Sequence, residues 1–183
     1  VYLSTVGTKA ETDLLQQYIP IAEMRSLTLP DGTKVQLNSK STLLYPHEFT
    51  GDSRSVFLLG EANFKVKPDK KRPFIVKSND LQITALGTEF NVSAYPESQE
   101  IATTLISGSI RVDYNNLTTS VILHPNEQFA YNRNNKKYDL SNPDMDDVTA
   151  WQRGELVLQK MTLTDIINVL ELITLKCSVG FQS

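Results

Sequence analysis

Val56-Phe57-Leu58-Leu59-Gly60-Glu61-Ala62-Asn63-Phe64-Lys65-Val66 is the stretch on which the fold turns. Four apolar residues run into Gly60, and beyond it Ala62, Phe64 and Val66 alternate with polar neighbours. A two-residue period is that of a strand with one face in a core. A glycine inside such a run marks a bulge or a tight bend. Lys67-Pro68-Asp69-Lys70 then turns the chain, and its basic surroundings through Arg72 read as a solvated hairpin loop.

The same grammar extends in both directions. Upstream, Leu27-Thr28-Leu29 stops at Pro30-Asp31-Gly32 and Lys34 to Asn38 alternates again, which is a β-hairpin. Downstream, Phe74-Ile75-Val76, Leu81/Ile83/Ala85, Phe90/Val92, Leu105-Ile106, Ile110/Val112/Tyr114, Val121-Ile122-Leu123, Phe129-Ala130-Tyr131 and Tyr138-Asp139-Leu140 are strand-like pieces between turns. Gly87 and Gly108 repeat the situation of Gly60 at separations of 27 and 21 residues, too irregular for a strict repeat. The expected fold is therefore mainly β, a twisted solenoid-like or sandwich-like antiparallel domain. Gly32, Gly60, Gly87 and Gly108 are its structural glycines.

The flanks differ. Residues 1–22 read as a leader that joins a first strand near Tyr18–Ala22, and 23–148 as the β-domain. Asn142-Pro143-Asp144-Met145-Asp146-Asp147 reads as a breaker and a solvated interdomain loop. Residues 149–183 read as the start of a small βαβ unit. Thr162 and Asp165 form its cap, Ile166, Ile167, Leu170 and Ile173 a helical stripe, and Cys177 to Phe181 a last strand.

Composition bounds the function. The 183 residues carry 18 Lys+Arg against 21 Asp+Glu, a net charge of −3, which disfavours a dedicated nucleic-acid binder. One cysteine, Cys177, excludes an intramolecular disulfide, and His47 and His124 cannot build a His-rich metal site. No apolar run has the ~18–20 residues of a membrane span. Gly51-Asp52-Ser53-Arg54-Ser55 lacks the last glycine of a nucleophile elbow. Asn142, Asp144 and Asp146 have EF-hand spacing, but Asp147 and Arg153 stand where Gly and Glu are required. Glu61 and Glu89 are the best-placed carboxylates for a hydrolase, without a motif around them. Asn91-Val92-Ser93 and Asn116-Leu117-Thr118 match glycosylation sequons. No catalytic residue, cofactor or metal is expected.

The particular words of the chain go further. Leu29-Pro30-Asp31-Gly32-Thr33-Lys34-Val35-Gln36-Leu37, Leu59-Gly60-Glu61-Ala62-Asn63-Phe64, Arg72-Pro73-Phe74-Ile75-Val76, Leu86-Gly87-Thr88-Glu89-Phe90-Asn91-Val92, Ser107-Gly108-Ser109-Ile110-Arg111-Val112 and Leu123-His124-Pro125-Asn126-Glu127 occur in this order. Together they resemble the FecR-type anti-sigma family, collinearly from about Met24 to the C-terminus. Asn63 and Gln36 depart from it where Tyr or Phe and Trp are common, in what read as surface-compatible exchanges.

The resemblance implies the periplasmic part of a single-pass inner-membrane protein, with its membrane helix and cytoplasmic sigma-binding segment before Val1. The implied partners are the N-terminal signalling domain of a TonB-dependent outer-membrane transporter and, through the cytoplasmic segment, an extracytoplasmic-function sigma factor. Recognition without catalysis is the implied activity. The transporter's domain is expected to dock by strand addition at the open edge around Val179 and Phe181, unless downstream sequence covers it. The competing expectation is a glycan-binding or adhesive β-module, using Tyr45, Tyr95, Tyr114 and Tyr138.

Overall fold

The computed structural model describes residues 13–155. In chain order the strands are β1 (Leu14–Tyr18), β2 (Arg25–Thr28), β3 (Lys34–Leu37), β4 (Thr42–Pro46), β5 (Arg54–Lys65), β6 (Phe74–Lys77) and β7 (Gln82–Ala85). They continue with β8 (Glu89–Ala94), β9 (Glu100–Ser107), β10 (Ile110–Tyr114), β11 (Thr119–Leu123), β12 (Gln128–Asn132) and β13 (Tyr138–Ser141). A short helix, α1 (Met145–Thr149), and a 3₁₀ turn, Ala150–Arg153, follow. The fold is mainly β.

β5 organises everything else. Arg54, Val56, Leu58, Gly60, Ala62 and Phe64 all face the interior, so the alternation passes through Gly60 without losing phase. What changes at Gly60 is the set of neighbours. Before it β5 pairs with β4 and β6; from it onward β5 pairs with β8 and, beginning at Ala62, with β3. One curled sheet results, with two halves that share β5. Half A runs β1-β4-β5-β6-β7-β10-β11, and half B runs β2-β3-β5-β8-β9-β12-β13. Gly60 has φ +96, and a Cβ there would lie 2.5 Å from Ser41 Oγ and 2.7 Å from Ser41 Cα. Only glycine fits a backbone bent this tightly against another chain segment.

The two halves close on one core. Phe64 and Phe90 of half B stack at 5.4 Å, and Phe74 of half A meets Phe64 at 5.9 Å. At the other end Tyr114 of half A packs on Phe129 at 5.3 Å and on Tyr131 at 5.9 Å. A buried ion pair bolts the β2–β3 turn to β5: Arg54 Nη1 donates to Asp31 Oδ2 at 2.7 Å, and both side chains are almost solvent-free. Arg54 also donates to the carbonyls of Lys67 and Arg72, while Asp31 accepts from the Thr33 amide and hydroxyl. The Pro30-Asp31-Gly32 turn is thus held from inside the protein as well as by its own geometry.

Several local expectations change. The first strand lies at Leu14–Tyr18, antiparallel to β4, and Ile19 just after it is fully buried. One pair, β5–β6, is parallel. β5 spans both halves, so the segment 66–73 is no hairpin loop: it carries the chain back along β5 and starts β6 beside Arg54. The acidic cluster is a helix start. Asp144 is the N-cap and accepts from the Asp146 amide, and Asp146 and Asp147 sit in the first turn, where the helix dipole favours negative charge. The Thr162 cap, the Ile166–Ile173 stripe, Cys177, Val179 and Phe181 lie outside the described residues, as do residues 1–12.

Candidate functional site

Alternation gives half B an outward face, and strand register decides what stands on it. Ser26, Gln36, Asn63, Asn91, Thr104, Gln128 and Ser141 are successive cross-strand partners over β2, β3, β5, β8, β9, β12 and β13. Every member is polar and uncharged, and four are side-chain amides. Outward residues of a sheet normally meet water, yet Asn63, Asn91 and Thr104 are buried.

The 3₁₀ turn after α1 anchors to this row. Trp151 Nε1 donates to Asn91 Oδ1 at 3.3 Å, and Gln36 Nε2 donates to the Gln152 carbonyl at 3.4 Å. Residues 145–153 therefore form a strap tied across the amide row. Beneath it Asn91 Nδ2 donates to Glu61 Oε1 at 2.9 Å and Asn38 Nδ2 to Glu61 Oε2 at 2.8 Å. Burial pushes the Glu61 carboxyl above its ordinary range, against the pull of these two amide donors. Tyr95 is pushed up as well, by burial first and then by the Glu61 charge. A relay of hydrogen bonds thus runs Asn38–Glu61–Asn91–Trp151.

The contact is incompletely satisfied. Asn63 Nδ2 and Gln152 Nε2 are buried without a hydrogen-bond partner. Each such donor costs about 1–3 kcal/mol relative to a hydrated one. That cost offsets part of what the Trp151 bond contributes.

Asn63 and Gln36, expected to be surface-compatible exchanges, belong to this row: Asn63 is buried and Gln36 holds the strap. Gly32, Gly60, Gly87 and Gly108 all have positive φ. At Gly87, with φ +151, a Cβ would lie 2.9 Å from Pro68 Cα, so this glycine admits the segment that returns to β6. Glu61 and Glu89 are not brought together. Glu89 stands opposite Lys65, four residues along β5 from Glu61 and about 13 Å away, and pairs with Lys65 at 3.4 Å. Among the described residues no group of three or more His, Cys, Asp or Glu side chains is placed to hold a metal ion. The four tyrosines form no common platform: Tyr114 is buried in the aromatic cluster, while Tyr95 donates to the Ser39 carbonyl.

The FecR protein family matches residues 19–111, which include Asp31, Arg54, Glu61 and Asn91. The chain belongs to the FecR family. A 1.65 Å crystal structure of a candidate anti-sigma factor from Parabacteroides distasonis ATCC 8503 superposes on this FecR chain with a TM-score of 0.81 at 36% identity, covering 87% of this chain and 74% of that one. A 2.50 Å crystal structure of a candidate anti-sigma factor from the same organism superposes with a TM-score of 0.81 at 37% identity, covering 86% of this chain and 73% of that one. A search of curated proteins finds no match. The FecR match ends on β10, so the strap and the β12 and β13 members of the amide row lie beyond it.

Proposed function

We propose that this chain is the periplasmic sensor part of a membrane-anchored anti-sigma factor, relaying a signal from a TonB-dependent outer-membrane transporter to an extracytoplasmic-function sigma factor. FecR-family membership carries the reading, supported by the likeness to the Parabacteroides protein. Among the described residues no helix is long and apolar enough to cross a membrane. In this reading the sigma factor is contacted by a segment outside this chain, and no bond is made or broken.

The strap supplies the mechanical element. A relay needs two arrangements whose balance a partner can bias. Residues 145–153 join the β-domain to the C-terminal part on which the transporter's signalling domain docks, so docking pulls on the bonds from Trp151 and Gln152 to the amide row.

The test is titration of the protein with the isolated signalling domain of the transporter encoded beside it, together with a sigma-dependent reporter in cells. Binding and reporter response are expected, and Val179→Pro is expected to weaken binding at least tenfold while the β-domain's melting transition stays in place. Absence of binding to that domain overturns the reading. Unchanged affinity in folded Val179→Pro moves the docking edge away from Val179 and Phe181.

A further inference from the structure

At the end of the molecule where the β6–β7, β10–β11 and β12–β13 turns converge, the surface opens into a cleft of about 350 Å³. That is the lower range of small-ligand sites. It shares no residue with the amide row or the strap.

Its backbone is unusual. Asn115, Asn116 and Leu117 follow one another with φ of 51°, 56° and 63°, and Lys136 across the cleft has φ 58°. Asparagine tolerates the left-handed region, but leucine and lysine rarely enter it. Backbone held in sparsely populated conformations gathers where a site is preorganised, and the inference runs from such an outlier to function.

The side chains define a chemistry. Phe57 presents an exposed ring at one rim, with Lys77 Nζ 5.5 Å from its centroid, and exposed Leu117 stands among the lining residues. Among the described residues Lys77 has no carboxylate partner. Asp80 is neutralised by Arg133 at 3.1 Å and approached by Lys136 at 3.7 Å, leaving the lining net positive. Asn115 Oδ1 accepts from the Tyr131 hydroxyl. A carboxylate that only accepts, amides that do both and ammonium groups that only donate suit hydroxyls, which themselves donate and accept. An exposed aromatic face suits the C–H side of a pyranose. The openness and polarity of the cleft suit neither an acyl chain nor a buried apolar ligand.

We propose that this cleft binds a short acidic saccharide, with sugar rings against Phe57 and Leu117, hydroxyls on Asp80 and Asn116, and the carboxylate at Lys77. The proposal is independent of the relay reading, because it concerns the β-domain alone and needs no second protein.

The experiment is an NMR or calorimetric titration of the whole chain with trigalacturonic acid and, in parallel, with neutral galactotriose. Saturable millimolar or tighter binding of the acidic sugar is expected, with shifts confined to the cleft turns and about tenfold weaker binding of the neutral one. Phe57→Ala should weaken both sugars. Lys77→Gln should weaken only the acidic one, by about tenfold, and reduce its salt dependence. Both positions are solvent-accessible, and their melting temperatures verify folding. No saturable binding up to about 10 mM of either sugar overturns the proposal. Binding that both variants leave unchanged also overturns it, and equal affinity for the two sugars overturns the assignment of the carboxylate to Lys77.

Discussion

The two outward faces of the curled sheet invert the usual expectation. The middle row of half B presents amides and hydroxyls, with Lys34, Lys65 and Glu89 at one end of the face, and the centre of the row is buried where the strap crosses it. Half A presents Leu44, Phe57, Leu59, Ile75 and Ile122 interspersed with Ser55, Lys77, Thr84 and the Arg111–Asp113 ion pair, and Phe57, Leu59 and Ile122 remain exposed. Apolar area alone does not explain which face is covered. An amide row offers directional bonds at fixed register, so a strap that settles there settles in one position and can leave without exposing a greasy surface. An apolar face would hold a strap more tightly and less specifically.

The comparison breaks most severely where the two halves are joined. Arg54→Ala strips Asp31 of its partner inside the protein and should cost about 3–5 kcal/mol in urea unfolding, collapsing both faces together. Loss below about 1 kcal/mol would show that the halves are held without it.

Trp151→Ala should act on half B alone. The strap loses its anchor to Asn91, so amide exchange across residues 144–155 should quicken by roughly tenfold, about 1.4 kcal/mol, while the global transition moves little. Unaltered exchange there would mean that the strap is held by something other than Trp151.

Glu61 sharpens the comparison through pH. Its folded pKa lies above the unfolded one, so the folded state binds more protons across the window between them. Stability from this group therefore falls as pH rises from about 4.5 through the raised value, and the loss is complete above it. Glu61→Gln should flatten that slope, as measured by urea midpoints between about pH 4 and 8. A variant with the parental slope would assign the effect to another group.

The smallest effect belongs to half A. Leu59→Ser should change stability by no more than about 0.5 kcal/mol, because the side chain is exposed and the pairing with Thr42 is backbone-made. A larger loss would mean that the outward face of half A is covered in solution.

What was legible in the sequence was what neighbouring residues decide between themselves. Pro30-Asp31-Gly32 carries its own turn geometry, and the run through Gly60 carries both its alternation and its bend. The parallel β5–β6 pair was not legible, because it depends on β5 being long enough to serve both halves. The amide row was hidden for a similar reason. Gln36, Asn63, Asn91 and Gln128 lie far apart in the chain, and each alone is the polar phase of an ordinary strand. Only register lines them up. A faint signal existed: amides stand at outward positions where lysine and glutamate would solvate an open face better.

The shared strand has a further consequence, for how the molecule comes into being. Neither half has a complete set of strands without β5, and the partners of β5 come from both sides of it in the chain, β3 and β4 before, β6 and β8 after. A cut anywhere between β3 and β8 therefore leaves neither fragment with a closed core. As the chain emerges during synthesis, β1 to β4 can form hairpin contacts but have no common strand to dock on until residues 54–65 arrive. Their inward side chains are covered only after β8 has been made. Pairings this distant in sequence put the cost of loop closure ahead of core burial, so folding is expected to be slow and to await β5.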